Sequence, residues 1–527
     1  MISKNLFESR QSKFNELTEL SAENFLSENT ASKVKHRKLN IFQKMMSFRN
    51  NLLLNSKNKN KKSLNTANFR DILNLITNNE DKINLINYLF LNDILKFKEI
   101  ILKYPNNKFI IDYNLLSTSH YLLDVIETQN EVLKILIENK NNISYLINKI
   151  NLMSIEKIPY DRNYIMICSY FYISDENVDK ILKQELDHYK IIDLIIKNET
   201  TISYIYLFYI YAYIYHLNNQ QIEQNDNILD SLLLILVNKK NCNNDNLLWE
   251  IYDLLTFFSQ IPKFVHKFYD KYEYIFVKRE FYEKDKITIE KLKIINNIFN
   301  IINGDGIKYF LEKDNGTILN LILFSLKILS SMISNNNITN NDVKYKLFSE
   351  SIKILLKLSS YKNLTYLLLE NKKCVYLIID TFKNFVSSYI QINNLLLNEI
   401  CSNIYQIVNN IIMHEHKKFI SLFKYNNLHL KINSKFDYYA NSNYINGNHF
   451  ISLINIIIYL FVDEKKNNFN KDSIKLDLDN NNFYNIIMKI LLKYNSDDIH
   501  NTLIKFIQKS LLGILRNLSK QDLKVVV

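Results

Sequence analysis

The sequence predicts an all-α chain folded as a solenoid of stacked helical repeats, and three observations carry that expectation. Glycine occurs 5 times and proline 3 times in 527 residues, too seldom to supply the hairpin turns of a large β-sheet protein. The stretch Asn398–Ile432 reads as one complete unit. In it Ile400, Ile404, Ile407, Val408 and Ile411 share a helical face, His414–Lys417 form a polar break, Phe419–Tyr425 a short apolar segment, and Leu428–Ile432 opens another helix. One such unit cannot bury all its apolar surface, so copies must stack. Variations on it recur with a period of roughly 40 residues, the spacing of armadillo and HEAT arrays.

Composition agrees. Hydrophobic residues make up 47% and charged residues 23%, a globular balance. The abundance of Asn, Lys, Ile and Tyr points to A/T-biased coding, so the formal charge of +12 is a weak guide to partners. The charge is also uneven: residues 1–65 carry 13 Lys/Arg against 5 Asp/Glu, a net +8, which leaves +4 for the rest. Cys168, Cys242, Cys374 and Cys401 lie far apart without CxxC spacing and suit small core side chains in a reducing compartment. The first residues hold no apolar run of signal-peptide length. Ile202–Tyr215, the nearest approach to a membrane span, is too short and too rich in Tyr, and predicts a fully buried helix instead. The expectation is a soluble intracellular protein.

Taken in order, residues 1–65 form a basic arm and linker. Lys33–Lys38 (Lys-Val-Lys-His-Arg-Lys) leads into a basic amphipathic helix over 39–54, and 55–65 is a Lys/Asn/Ser linker. The array occupies 66–520. Helices are expected over 69–76 and 83–102, and Pro105 marks the break before the segments 109–113 and 119–126. A second unit covers 131–158 before Pro159; a third has helices over 164–173, 178–186 and 189–196. The fourth holds 202–217 and 228–237, the fifth begins with 247–258, and the sixth with 287, then 307–311 and 318–329. The seventh has 347–358, 364–369 and 374–385. After the unit at 398–432, Lys435–Asn448 predicts a Tyr/Asn/Ser loop, and 450–462 with 483–515 close the array.

This order of segments resembles the importin-alpha family, armadillo-repeat adaptors of nuclear transport. Two regions carry the resemblance. Val34-Lys-His-Arg-Lys38 followed by Met45-Met-Ser-Phe-Arg-Asn50 is similar to that family's importin-beta-binding arm. The array matches through helix order and loop placement, as at Phe97–Leu123 and Ile298–Leu321. The resemblance implies a right-handed armadillo/HEAT-like α-solenoid of about 9–10 repeats. It also implies Trp-x-x-x-Asn ladders, where Asn clamps the backbone of an extended cargo and Trp walls hold its lysine stems. The matching positions are Val132/Leu136, Ile167/Phe171, Tyr209/Tyr213, Trp249/Asp253, Asn296/Asn300, Lys353/Lys357 and Tyr405/Asn409. Tyr405/Asn409 keeps the aromatic–amide pattern and Asn300 keeps its Asn. The cargo groove is therefore expected at Tyr209, Tyr213, Trp249, Asp253, Asn300, Tyr405 and Asn409. Importin beta is expected on Lys35, Arg37, Lys38 and Arg49.

Other signals weigh less. His414-Glu-His416 is a turn rather than a metal site, because i and i+2 point to different sides of a helix. Gly304-Asp-Gly306 lacks the Lys-Ser/Thr of a phosphate loop. No Ser–His–Asp, Cys–His or paired-carboxylate arrangement stands out, so no enzyme activity, cofactor or metal is expected. The functional expectation is an adaptor moving between cytoplasm and nucleus, with importin beta and a nuclear-localisation-signal segment as partners. An armadillo scaffold that has lost signal recognition is the alternative. A membrane is not expected as a partner, and nucleic-acid binding ranks below both readings.

Overall fold

A computed structural model of the chain describes 37–48, 73–104, 130–199, 204–237, 245–272, 285–334, 342–387, 395–415 and 425–441, apart from isolated positions, plus scattered residues between 123 and 490. The described residues are helical, with turns between helices and no strand. Helix α1 spans 40–48. It is followed by α2 (Asn79–Phe90), α3 (Ile94–Leu102), α4 (Asn130–Glu138), α5 (Lys140–Ser154), α6 (Arg162–Ser174), α7 (Glu176–Glu185) and α8 (His188–Asn198). Next come α9 (Tyr204–Ile214), α10 (Asn219–Gln224), α11 (Asp226–Val237) and α12 (Asp245–Phe258). The remainder are α13 (Val265–Asp270), α14 (Asp285–Ile301), α15 (Gly304–Asp314), α16 (Thr317–Ser334), α17 (Asp342–Ser359), α18 (Lys362–Glu370), α19 (Lys372–Ser387), α20 (Leu395–His414) and α21 (Leu428–Asn441). No described helix is long and apolar enough to cross a membrane.

The chain divides into two compact units, Leu26–Phe264 and Val265–Val527 with Met1–Phe25. Within each, some helices pack on the one three elements further along. In the first unit α5 meets α8, and α6 meets α9. In the second α14 packs on α17 and α17 on α20, while α15 meets α18 and α16 meets α19. Amphipathic helices too short to stand alone are stabilised by such packing rather than by propensity.

Asp and Asn take over the punctuation that Gly and Pro usually supply. The side chains of Asn78, Asp93, Asn139, Asp161, Asp175 and Asp187 each accept a backbone N–H at the start of α2, α3, α5, α6, α7 and α8. Two expectations change on this account. The helix expected over 83–102 is two helices, because Asn92 adopts a left-handed φ of 58° and Asp93 caps α3. The loop expected at Lys435–Asn448 is helical as far as Asn441, since Ile432, Phe436 and Tyr439 fall on one buried face that its polar composition hides. Cys168, Cys374 and Cys401 are buried free thiols, as expected. Cys242 lies outside the described residues.

Buried polar groups cross-link the stack. Asn142 Nδ2 of α5 donates to Asn87 Oδ1 of α2 at 2.7 Å and to the Leu136 carbonyl at 3.1 Å. Ser351 Oγ of α17 donates to Ser325 Oγ of α16 at 2.8 Å. Asp314 closes α15, accepts from the Tyr272 hydroxyl, and receives the Ile318 N–H of α16 at 2.8 Å. Burial pushes its carboxyl up to about 7, against the Ile318 and Gly316 N–H groups that favour the anion.

A raised carboxyl pKa makes the folded state most stable while the group is protonated. Stability should fall as the pH climbs from about 4 to about 7, by roughly 1–4 kcal/mol. Asp314→Asn should flatten that slope in urea unfolding at the two pH values. Gly304 opens α15 with the Tyr361 ring against it, and an added Cβ would sit 2.6 Å from Tyr361 Cδ1. Gly304→Ala should therefore cost roughly 1–3 kcal/mol in the same assay.

Candidate functional site

The site is assembled from α1, α9 and α12, all within the unit Leu26–Phe264. Helix α9 is apolar or aromatic at every position, and all its residues from Tyr204 to Ile214 are buried. A helix with no polar stripe needs cover on every side. Part of that cover is α6, and part is α1 from the distant N-terminal arm. Helix α1 inserts Ile41, Met45 and Phe48, each at most 4% exposed. The Phe48 ring lies 5.6 Å from that of Tyr204 and 5.5 Å from that of Tyr211. Asn40, Phe42, Gln43 and Ser47 face solvent.

The basic residues flanking this apolar row are held individually. Lys44 Nζ donates to Glu250 Oε2 at 2.9 Å and to Asp253 Oδ2 of α12. It also stands over two rings, 5.2 Å from Trp249 and 5.7 Å from Tyr211. Burial opposes its charge, but Asp253 and Glu250, as anions and as acceptors, outweigh that and hold its pKa above the ordinary lysine value. Tyr211 Oη lies 3.5 Å from Asp253 Oδ2 and ties α9 to α12 at this point. Arg37 donates to the Leu217 carbonyl beyond α9 and lies 5.7 Å over the Phe257 ring. Lys38 Nζ is 3.5 Å from His216 Nδ1 and 5.5 Å over the Tyr215 ring. The result is a groove of aromatic faces, with carboxylates at Lys44, that carries the cations of Arg37, Lys38 and Lys44. Such an arrangement can hold alkylammonium and guanidinium groups.

The expected residues divide sharply. Trp249, Asp253, Arg37 and Lys38 are brought together here. Lys35 and Arg49 lie outside the described residues. Tyr209 and Tyr213 face His188 of α8, whereas Tyr204 and Tyr211 face Phe48 of α1. Tyr209 Oη is 3.3 Å from His188 Nδ1, and the Tyr213 ring stacks on His188 at 3.8 Å. The groove-facing positions of this segment are Tyr204, Tyr211 and Tyr215. Two residues of register turn a side chain by about 200°, to the opposite face, and an all-apolar helix offers no pattern to set that register.

Asn300, Tyr405 and Asn409 belong to the other unit. Asn300 is exposed on α14. Tyr405 is buried between Phe382 and His449, at ring distances of 5.4 and 5.5 Å, and so is a core residue rather than a groove wall. The Asn409 side-chain oxygen is buried with no hydrogen-bond partner among the described residues. Asn296 is turned inward and donates to the Glu350 carboxylate at 2.7 Å. Lys353 pairs with Glu350 at 3.1 Å and Glu399 at 3.5 Å, so its charge is compensated.

Sequence reasoning missed Lys44, Glu250, Tyr211, Tyr215 and Phe257. The available signal was the spacing Trp249, Asp253, Phe257, three residues four apart on one face of α12. No protein-family model matches the chain, and no curated protein matches it.

Trp249 is the only tryptophan of the chain, so its emission reports this site alone. Lys44→Glu places a third carboxylate beside Glu250 and Asp253. It should shift Trp249 emission to the red as α1 loosens and lower stability by roughly 1–3 kcal/mol. Unchanged emission would mean that α1 does not depend on this contact.

Proposed function

We propose that the chain is an importin-alpha-like transport adaptor of armadillo/HEAT-like solenoid build. Its aromatic–carboxylate groove takes the basic segment of a cargo protein, and its N-terminal arm binds importin beta. One observation carries the reading: the lone tryptophan and its neighbouring carboxylates surround a lysine from a basic arm. Packing of helices three elements apart within each unit supports the three-helix repeat. The arm then has two states, seated in the groove or engaged by importin beta, and cargo competes with the seated state. This reading involves the aromatic wall and the acidic charge at Trp249, Glu250 and Asp253. It does not rely on backbone clamping by Asn300 or Asn409.

A second reading, a scaffold that binds other protein segments, is favoured by the ladder positions that are plain core. Val132, Leu136, Ile167 and Phe171 are all buried, as are Tyr209, Tyr213 and Tyr405.

The two separate in a capture experiment with importin beta. The full chain should be retained, and the triple variant Arg37→Glu, Lys38→Glu, Arg49→Glu should lose most of that retention. Equal retention of both proteins, or none of the parent, would remove the adaptor reading and leave the scaffold.

A further inference from the structure

The groove between α9 and α12 makes two demands of its occupant, and only one of them is charge. The carboxylates of Glu250 and Asp253 need a cation. The rings of Tyr204 and Tyr211 need apolar cover, since any occupant that leaves them wet forfeits the burial of a helix that is hydrophobic all round. Residues 40–48 meet both demands by being helical. Ile41, Met45 and Phe48 follow one another at i, i+4 and i+7, so they form a single buried row. Lys44, at i+3, sits beside that row and reaches the carboxylates. Arg37 and Lys38 precede it by about one turn and reach the Leu217 carbonyl and His216. From Ile41 to Phe48 the helix advances only about 10 Å. An extended strand of the same length would run about 23 Å and turn alternate side chains away, so it could not put the three apolar residues and the lysine on one short patch.

We propose that this groove is a receptor for an amphipathic basic helix. Segment 37–48 is its resident occupant, and the competing partner is a protein helix of the same pattern: apolar at i, i+4 and i+7, lysine at i+3, basic residues about one turn earlier. The inference rests on the reading that the groove takes basic segments, and it replaces an extended occupant by a helical one. The mode is helix-in-groove recognition, with the apolar row giving affinity and the lysine fixing register.

The test uses the full chain, both parent and with Lys44→Glu to loosen the resident helix, and labelled peptides of sequence 33–54. Three peptides are compared: the parent, one with Gln43→Pro, and one with Phe48→Ser. All carry the same charge, and Gln43 faces solvent in the groove, so the proline acts through the helix alone. Anisotropy and Trp249 emission are read together. The parent peptide should bind the Lys44→Glu chain at least about tenfold more tightly than the parent chain. Both altered peptides should bind at least about tenfold more weakly than the parent peptide. If all three bind equally, the groove reads charge on an extended chain: the helix inference falls and the basic-segment reading stands. If none binds either chain, both fall. If the full chain instead dimerises and peptide leaves Trp249 unmoved, the occupant is the arm of a second copy, and the partner helix is wrong.

Discussion

A helix that is apolar on all sides cannot stand at a surface, and α9 is such a helix. Its tyrosines, isoleucines, leucine, phenylalanine and alanine leave no face for water, so the chain must surround it. Helix α6 covers one side, His188 of α8 stacks under Tyr213, and α1 closes the side bearing Tyr204 and Tyr211. The same constraint, in milder form, runs through the rest. Helices α14, α17 and α20 lean on one another in sequence, as α15 does on α18 and α16 on α19. Helix α1 supplies one such interface from far away in sequence, covering α9 with Ile41, Met45 and Phe48.

What distinguishes that interface from plain packing is the treatment of its cations. Lys44 is three-quarters buried, with side-chain exposure of 25%, and its carboxylate partners are exposed by 13% and 31%. Pairs this sheltered are screened less by salt than surface pairs. Removing one partner leaves a desolvated charge behind. The rings of Trp249 and Tyr211 add cation–π attraction without adding charge. The hold on Lys44 thus comes from a few groups at the centre of the contact, with the apolar row of α1 supplying area around them. Nearby, burial works the other way on the Asp179–Lys183 pair of α7. It raises the aspartate pKa and lowers that of the lysine despite their contact at 2.7 Å. Burial alone does not select a cation; the doubled carboxylate at Lys44 does.

Much of the helix order was legible because this sequence punctuates itself with Asp and Asn. Those residues stand at the starts of α3, α5, α6, α7 and α8, and apolar periodicity fixes what lies between. The helix expected over 39–54 is seen at 40–48, and the buried segment at 202–217 is α9. Where periodicity fails, so did the reading. In α9 every position is apolar, and nothing in the sequence says that Tyr211 rather than Tyr209 meets the groove. In α12, Trp249 and Asp253 stand out from an apolar background, and both lie against Lys44. Helix α21 begins where a helix is expected, at Leu428, but it runs on through residues 435–441, where Phe436 and Tyr439 are hidden among polar neighbours that read as a loop. Lys44 carried no distinguishing mark, because its role is set by Glu250 and Asp253, more than 200 positions away.

The account stands on direct coupling between the arm and α12, and a double-mutant cycle measures that coupling without assuming a ligand. Urea unfolding of the parent, Lys44→Ala, Asp253→Ala and the double variant gives the interaction free energy of the pair. The account predicts a favourable coupling of about 1 kcal/mol or more, with the double variant less destabilised than the sum of the single ones. Strict additivity would show that Lys44 and Asp253 do not meet in solution, and it would contradict the seated arm.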